Sequence, residues 1–262
     1  MDILTKIVID KRKELRLKKQ VVPVSQLEAA RLYGRKTTSM AKALRSNGTG
    51  IIAEHKRRSP SKSVINHGLS VDAVAIGYEK AGACGMSVLT DGKYFGGSLD
   101  DLLLARASVQ MPLLRKEFII DEYQILEAKA YGADVILLIA AILTKKEIKA
   151  FSELAQSLGL EVLLEVHDEE ELHKSIMPSL DMLGVNNRNL KTFEVSLETS
   201  KSLSALIPND FVKISESGIS SVDAIHELIP FGFEGFLIGE NFMKTDDPGK
   251  SAREFIRVLT RS

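Results

Sequence analysis

An acidic and a basic side chain stand two residues apart at the end of an apolar run. The segment Ile51–Lys56 is typical of a strand that delivers Glu54, His55 and Lys56 to its C-terminal end. Side chains two apart on a strand share a face, so Glu54 and Lys56 point one way and His55 points the other. Buried charges are costly unless they are paired or used in chemistry. The pair therefore suggests a functional site, although an ion pair on an exposed edge strand would give the same pattern.

Further polar residues end other apolar runs. They are Lys116, Glu165, Asn186 with Arg188, Glu216 with Ser217, and Gly239 with Glu240. Each residue alone would be more easily explained as part of a structural ion pair. Carboxylates and ammonium groups from several strands, all at the same end, are hard to explain as a surface, whereas barrel enzymes draw their catalytic residues from several strand ends. The set therefore favours an active site.

The elements that must position these residues alternate regularly. The predicted strands are Ile51–Lys56, Gly85–Thr90, Pro112–Glu117, Asp134–Ala140, Glu161–Val166, Asp181–Asn186, Phe211–Ser217 and Gly235–Gly239. The predicted helices are Val71–Ala81, Leu99–Ser108, Glu122–Tyr131, Lys145–Leu158, Glu169–Ser175, Leu197–Leu206, Val222–Phe231 and Lys250–Leu259. Strict alternation implies parallel strands with helical crossovers, and eight units in a chain of 262 residues fit a closed (β/α)8 TIM barrel. An open doubly wound sheet is the alternative, but no Gly-x-Gly-x-x-Gly follows the first strand.

The residues before the first strand predict helices. An amphipathic helix spans residues 2–20, with an apolar stripe through Ile7 and Leu15 and with basic residues such as Lys11 on an expected solvated face. A second helix over about 25–33 has Ser25 and Glu28 at capping-box spacing, and a third covers about 39–45. Such short helices cannot bury a core alone. We predict one barrel domain over residues 1–262, in which about 1–48 form a helical extension that contributes to the substrate end.

Composition argues against several classes of protein. The 35 basic and 35 acidic residues give a formal net charge of zero, which does not favour nucleic-acid binding. No apolar run approaches the ~20 residues that cross a bilayer, and the N-terminus lacks a signal-peptide core, so we expect a cytoplasmic protein without membrane contact.

The single cysteine, Cys84, excludes an intramolecular disulfide and is expected in the core. The 5 histidines lack metal-ligand spacing, so no metal is predicted. A monomer is compatible with these features, which leave the oligomeric state open.

Glycines close the seventh and eighth predicted strands, in Ser217-Gly218 and Gly239-Glu240. In barrels the loops after these strands often bind phosphate together with a short extra helix, and residues 240–243 are placed to form one. Glycine lets backbone N–H groups approach an anion, and Lys56 can add positive charge. Glu240 suits this site only if its N–H, rather than its carboxylate, faces the ligand.

Taken together, these motifs resemble the indole-3-glycerol-phosphate synthase family of tryptophan biosynthesis. The matching segments are IAEHKRRSPS (52–61), TDGKYFGGSLDDL (90–102), LRKEFIID (114–121), LLEVH (163–167), GVNNRNL (184–190) and ESGI (216–219), with ILTKIV (3–8) and KRKE (11–14) in the extension. The resemblance covers essentially the whole chain, in order and spacing. It implies closure of an indole ring on the small-molecule substrate 1-(2-carboxyphenylamino)-1-deoxyribulose 5-phosphate, with loss of carbon dioxide and water and with no cofactor or metal.

The resemblance also implies roles for individual residues. Lys116 matches the general acid and Glu165 the general base, while Glu54, Lys56 and Asn186 match further catalytic positions. Substrate contacts are implied for Arg58, Ser59, Ser61, Phe118, Arg188, Leu190, Glu216 and Ser217. Phosphate contacts are implied for Lys56, Ser217, Gly218, Gly239 and Glu240. Two positions depart from the family pattern: Arg58 replaces a usual lysine, and Lys62 replaces a usual glycine.

The residue types suit the implied chemistry. Ring closure needs a proton at a ketone oxygen, which a lysine of lowered pKa can deliver near neutral pH, and rearomatisation needs a base. Two other functions stay open. Another phosphate-binding barrel, such as phosphoribosylanthranilate isomerase, would be expected to use a Cys/Asp pair at strand ends, whereas Cys84 precedes the second strand. A non-catalytic phosphosugar-binding barrel would lack the acid or the base, and Lys116 and Glu165 are both present.

Overall fold

The computed structural model describes residues 2–60, 62–189 and 192–261. Ser61 and Leu190, for which substrate contacts were implied, lie outside the described residues. Eight strands are found within the described ranges: β1 Ile51–His55, β2 Gly85–Leu89, β3 Leu113–Lys116, β4 Val135–Ile139, β5 Glu161–Val166, β6 Met182–Asn186, β7 Val212–Glu216 and β8 Phe233–Ile238. They differ from the predicted strands mainly by one or two residues at the ends.

The strands form a closed parallel barrel in chain order. Each strand pairs with the next, and β1 closes the ring by pairing with β8, with Ile51 opposite Phe236 and Ala53 opposite Ile238. This closure confirms the TIM barrel and rules out the open sheet, because an open sheet would leave β1 and β8 as edges. The C-terminal ends of all strands therefore meet at one end of the barrel.

Helices alternate with these strands and cover the barrel. They are α4 Val71–Ala81, α5 Gly92–Phe95, α6 Leu99–Ser108, α7 Glu122–Ala130, α8 Lys145–Ser157, α9 Glu169–Ser175, α10 Glu198–Ser204, α11 Val222–Leu228, α12 Glu240–Met243 and α13 Pro248–Leu259, numbered after three N-terminal helices. The predicted short helix after β8 is confirmed as α12. In the described residues no helix combines the length and the apolar character that crossing a membrane requires.

Strand alternation separates two apolar cores. Side chains such as Ile52, Leu163 and Leu237 fill the barrel interior, whereas those such as Ile51 and Val162 pack against the helices. Parallel strands covered on both faces are apolar on both faces, which explains their continuous apolar runs. The polar residues at the C-terminal strand ends interrupt this pattern.

The extension consists of α1 Ile3–Val21, α2 Val24–Glu28 and α3 Met40–Asn47. Helix α1 lies over the C-terminal end of the barrel, where Ile7 joins the interior core, and α3 closes the other end with Met40 and Leu44. The predicted capping box is wrong. Helix α2 begins at Val24 after Pro23, and Pro23 supplies no side-chain cap. Ser25 is already the second residue of α2, so it cannot be the N-cap that a capping box requires.

Candidate active site

A cavity of about 350 Å³ opens at the C-terminal end of the barrel. Residues from most strand ends line it, including Glu54, Lys56, Ser59, Lys116, Phe118, Glu165, Asn186, Arg188, Ser217, Gly218, Gly239 and Glu240. Polar residues dispersed along the sequence therefore share one wall, as the strand-end argument predicted. Helix α1 adds Ile3, Leu4 and Ile7, which agrees with the expectation that the extension contributes to the substrate end.

The centre of the site is the ammonium group of Lys116. Its Nζ lies 2.7 Å from Oε2 of Glu216 and 3.3 Å from Oε2 of Glu54. Lys56 Nζ lies 2.7 Å from the other oxygen of Glu54. Alternation along β1, β3 and β7 explains the cluster, because each of these residues points from its strand toward the barrel axis.

The charges around Lys116 correct one expectation. Burial lowers the pKa of Lys116, but the carboxylates of Glu216, Glu54 and Glu165 outweigh burial and raise the pKa above its ordinary range. The expected lowered pKa is therefore wrong, because a lysine surrounded by buried carboxylates is stabilised as the ammonium form. Burial raises the pKa of Glu54, but Lys56 and Lys116 outweigh this and lower it to about 2.

The carboxyl groups of Glu216 and Glu165 differ in their surroundings. Burial raises the pKa of Glu216, Lys116 opposes the rise, and the charge of Glu165 adds to it. Glu165 accepts a hydrogen bond of 3.0 Å from the Asn186 amide. Its Oε1 also lies 3.3 Å from Nε2 of His167. The cavity thus places the Lys116 ammonium group in the same space as the Glu165 carboxylate, whose pKa is lowered.

Gly239 gives the carboxylate of Glu54 room beside β8. A Cβ atom at position 239 would lie 2.5 Å from Oε1 and 3.0 Å from Cβ of Glu54. Both approaches are shorter than van der Waals contact, so any side chain at this position would move the carboxylate. The glycine therefore serves the shape of the charged cluster, in addition to any contact with a phosphate.

The turn after β7 has a left-handed backbone conformation at two successive residues. Ser217 and Gly218 have φ values of 68° and 79°, and Ser217 is a strained exception among residues with a side chain. The amide of buried Asn187 holds this turn by donating to the Ser217 carbonyl oxygen at 3.0 Å. The Glu240 carboxylate pairs with Lys62 Nζ at 2.8 Å.

An aromatic wall faces the charged cluster. Phe118 lines the cavity, and Phe95 of α5 packs against it with ring centroids 5.9 Å apart. Phe95 was not predicted as a site residue, although its place just after β2 is a signal that could have found it. Asn187 and His167 were missed in the same way, since each stands one or two residues from a predicted site residue.

Arg58 and Arg188 differ in their position relative to the cavity. The Arg58 guanidinium donates to the carbonyl oxygens of Gly92 and Lys93, at 2.7 and 2.9 Å, and holds the loop after β2 instead of lining the cavity. Arg188 lines the cavity and donates to the Phe193 carbonyl oxygen at 3.3 Å. Cys84 is buried just before β2, away from the C-terminal strand ends, so it offers no nucleophile to this site.

The model of the indole-3-glycerol phosphate synthase family matches residues 4–255. The chain belongs to this family. The indole-3-glycerol phosphate synthase of Bacteroides thetaiotaomicron is 47% identical over 258 residues, which cover 98% of this chain and 99% of that protein. The Polaromonas enzyme of the same name is 43% identical over 252 residues, 95% of this chain and 96% of that one.

Solved structures outside the indole-3-glycerol phosphate synthase family share the fold. The 3-hexulose-6-phosphate synthase of Salmonella typhimurium gives a TM-score of 0.63 at 12% identity and covers 81% of this chain and 99% of that chain. Thiamine phosphate pyrophosphorylase of Pyrococcus furiosus gives 0.61 at 16% identity, covering 82% and 97%. At such identities these two structures support the barrel alone.

Proposed function

We propose that the chain closes the indole ring of indole-3-glycerol phosphate from 1-(2-carboxyphenylamino)-1-deoxyribulose 5-phosphate. Membership of the family supports this reaction. The observation that carries the assignment of residues is the Lys116 ammonium, held between Glu216 and Glu54 in the same cavity as Glu165. An acid and a base in one cavity suit a reaction that adds a proton to one substrate atom and removes a proton from another.

In the first step the aromatic carbon that bears the carboxylate attacks the ketone carbon of the sugar chain. Lys116 gives its proton to the ketone oxygen, which becomes a hydroxyl group as the new carbon–carbon bond forms. The raised pKa of Lys116 keeps this proton on the ammonium until the oxygen becomes strongly basic in the transition state. Donation at the moment when charge develops is the form of stabilisation that accelerates a reaction.

The later steps remove carbon dioxide and water. When the carboxylate leaves as carbon dioxide, its bonding electrons return to the ring and neutralise the iminium formed during closure. The hydroxyl group then takes a second proton from an ammonium group of the cavity and leaves as water. Glu165 removes a proton from the adjacent methylene carbon, which completes the double bond of the indole. The lowered pKa of Glu165 keeps its carboxylate ionised at neutral pH, the form that a base requires.

The remaining residues bind the two ends of the substrate. We assign the phosphate to the backbone N–H groups of Ser217-Gly218 and Gly239-Glu240, with charge from Lys56, and the aromatic ring to the wall formed by Phe118 and Phe95. The pairing of Glu240 with Lys62 supports this assignment, because it engages the carboxylate that would repel a phosphate. A reaction on a phosphorylated metabolite fits the cytoplasm, where we propose that the chain works.

The assignment is tested by measuring indole-3-glycerol phosphate formation by fluorescence for the wild-type chain and for Lys116→Met. We expect the wild type to turn over the carboxyphenylamino substrate and the variant to lose turnover by about 10³-fold, the range for removal of a general acid. Substrate binding should change far less, because the phosphate loops and the aromatic wall remain.

Lys149→Met is the matched control, since Lys149 is an exposed lysine of α8 whose side chain is 66% accessible and does not line the cavity. It should keep wild-type turnover. A wild-type chain without product formation would contradict the proposed reaction, whereas a Lys116→Met variant within tenfold of wild type would contradict only the role given to Lys116.

A further inference from the structure

His167 is a neighbour of Glu165 to which neither the resemblance nor the proposed mechanism gives a role. It stands two residues after Glu165, past the end of β5, and its side chain is 12% exposed. Nε2 lies 3.3 Å from Oε1 of Glu165, and Nδ1 lies 3.1 Å from Oε2 of Glu171 on α9. The backbone N–H of His167 donates to the same Glu171 oxygen at 2.8 Å. The imidazole is therefore fixed between two carboxylates.

The distribution of ion pairs gives His167 a particular importance. Glu54 and Glu216 each lie within 3.3 Å of a lysine ammonium, Lys56 or Lys116. Among the described residues, Glu165 forms no ion pair with a lysine or arginine, and its cationic partner is His167. A buried carboxylate without a cation tends to take up a proton, and a protonated Glu165 could not act as a base.

The groups around His167 favour its charged form. Glu165 faces it from β5 and Glu171 from α9. Asp2, Asp168, Arg188 and Glu194 line a second cavity of about 450 Å³ beside it. Burial lowers the pKa of His167, but Glu165 and Glu171 outweigh burial and raise the pKa to about 10. In return, burial raises the pKa of Glu165, but His167, together with Lys116 and Asn186, lowers it to about 2.

We propose that His167, held by Glu171, is a positioning residue that keeps Glu165 ionised and directed into the cavity. This inference rests on the proposed function, because it gives Glu165 the role of general base. His167 does not touch the reacting atoms in this arrangement. It acts as the imidazolium cation that balances a carboxylate which the two lysines leave unpaired, and Glu171 stabilises the charged imidazole from its far side.

The test is the pH dependence of kcat/KM for wild type, His167→Gln and Glu171→Gln. Loss of the imidazolium should raise the pKa of Glu165, so activity on the acidic side should fall and recover as the pH rises. We expect His167→Gln to move the acidic limb upward by about one to two pH units, which is a 10- to 100-fold loss below the limb. Glu171→Gln should move it in the same direction by less. Ionisation of the substrate phosphate affects all variants equally and cancels in the comparison.

His173→Gln is the control, because His173 lies on α9 with Glu171. Its side chain is 59% exposed, and its Nδ1 lies 3.9 Å from Oε1 of Glu169. It should keep the wild-type profile. Glu165→Gln separates the proposed role of Glu165 from the proposed role of His167. It should be inactive at every pH if Glu165 is the base. An active Glu165→Gln enzyme would contradict the proposed base. An inactive one, together with an unchanged profile for His167→Gln, would overturn the role of His167.

A measurement on the wild-type chain removes any dependence on folding of the variants. In a ¹⁵N NMR spectrum at neutral pH, the ring of His167 should carry protons on both nitrogens and keep them into the alkaline range. Assignment follows from the loss of that signal in His167→Asn or His167→Gln. A neutral ring at pH 7 would contradict the inference directly.

Discussion

The balance of charge within the cavity determines which side chains hold protons. Three buried carboxylates, Glu54, Glu165 and Glu216, face two lysine ammonium groups and one imidazole. Each cation lies beside at least one carboxylate, and burial raises the pKa of Glu216 despite its pairing with Lys116. A site organised in this way keeps ammonium and carboxylate groups charged side by side. In an apolar pocket without partners, burial would favour the neutral form of each group.

Gly239→Ala tests how tightly this charged cluster is packed. The added Cβ would lie 2.5 Å from Oε1 of Glu54 and should push the carboxylate away from Lys56 and Lys116. Because displacements of about 1 Å can cost ~100-fold in rate, we expect kcat to fall at least about tenfold. Gly34→Ala is the control, as a Cβ there would meet no atom within 4 Å. Steady-state kinetics of both variants would decide, and equal rates would contradict the tight packing.

Sequence reasoning at this scale identified residue types better than their electrostatic states. Alternation on β1 placed Glu54 and Lys56 together, and the structure pairs them at 2.7 Å. The same reasoning expected a lowered pKa for Lys116, which is wrong. The direction of the pKa shift of Lys116 depends on how many carboxylates lie within a few ångströms of its ammonium group. These carboxylates come from β1, β5 and β7. Such distances follow from closure of the barrel and are not encoded in any one segment.

Among the elements, α1 is attached to the catalytic end by a buried cation. Lys11 is 2% exposed, and its Nζ lies 3.0 Å from Asp91 and 3.2 Å from Glu117. Asp91 caps α5, and Glu117 follows Lys116 directly. The expectation that Lys11 belongs to a solvated face is therefore wrong, because Lys11 lies between Ile7 and Leu15 on the buried face of α1. Helix periodicity alone cannot reveal such a partner.

Lys11→Met should destabilise the folded chain strongly. It would leave the carboxylates of Asp91 and Glu117 buried without their ammonium partner, and breaking a buried pair in this way costs about 3 kcal/mol or more. Lys6→Met, on the exposed surface of the same helix, should change the free energy of unfolding by no more than about 0.5 kcal/mol. Urea unfolding measures both. Equal stability of the two variants would show that Lys11 does not anchor the extension.

The elements themselves were largely predictable, and the exceptions share a cause. Long periodic segments such as Val71–Ala81 and Leu99–Ser108 match the structure at both ends. Short segments were less certain: α5, Gly92–Phe95, was not predicted, and α2 begins at Val24 instead of following a cap at Ser25. A helix of four or five residues contains too little hydrophobic periodicity to signal itself, and its position is decided by the groups it packs against.

For the molecule as a whole, the two ends of the barrel have different tasks. Strand β5 shows this within one segment, because Glu161 begins it and Glu165 nearly ends it, about 13 Å apart at strand spacing. Glu161 accepts hydrogen bonds from the Ser39 hydroxyl and from the N–H groups of Met40 and Ala41, at 2.8 and 3.0 Å for the two amides. It thereby holds the start of α3 against the N-terminal end, while Glu165 faces the cavity.

The same substitution should therefore lower mainly the stability when it is made at Glu161 and mainly the activity when it is made at Glu165. Glu161→Gln removes a charge from the N-terminus of α3 and turns one acceptor oxygen into a donor, so the free energy of unfolding should fall by about 1–3 kcal/mol. Its kcat/KM should stay within about twofold of wild type, because no group of the cavity is altered.

Glu165→Gln should lose about 10²- to 10⁴-fold in kcat through loss of the base. It should change the unfolding free energy by only about 1 kcal/mol, because removing one of three crowded carboxylates relieves repulsion while it weakens the pairing with His167. Urea unfolding and steady-state kinetics on both variants test this division. A Glu161→Gln variant as inactive as Glu165→Gln would mean that the two ends of the barrel are coupled and not separate in function.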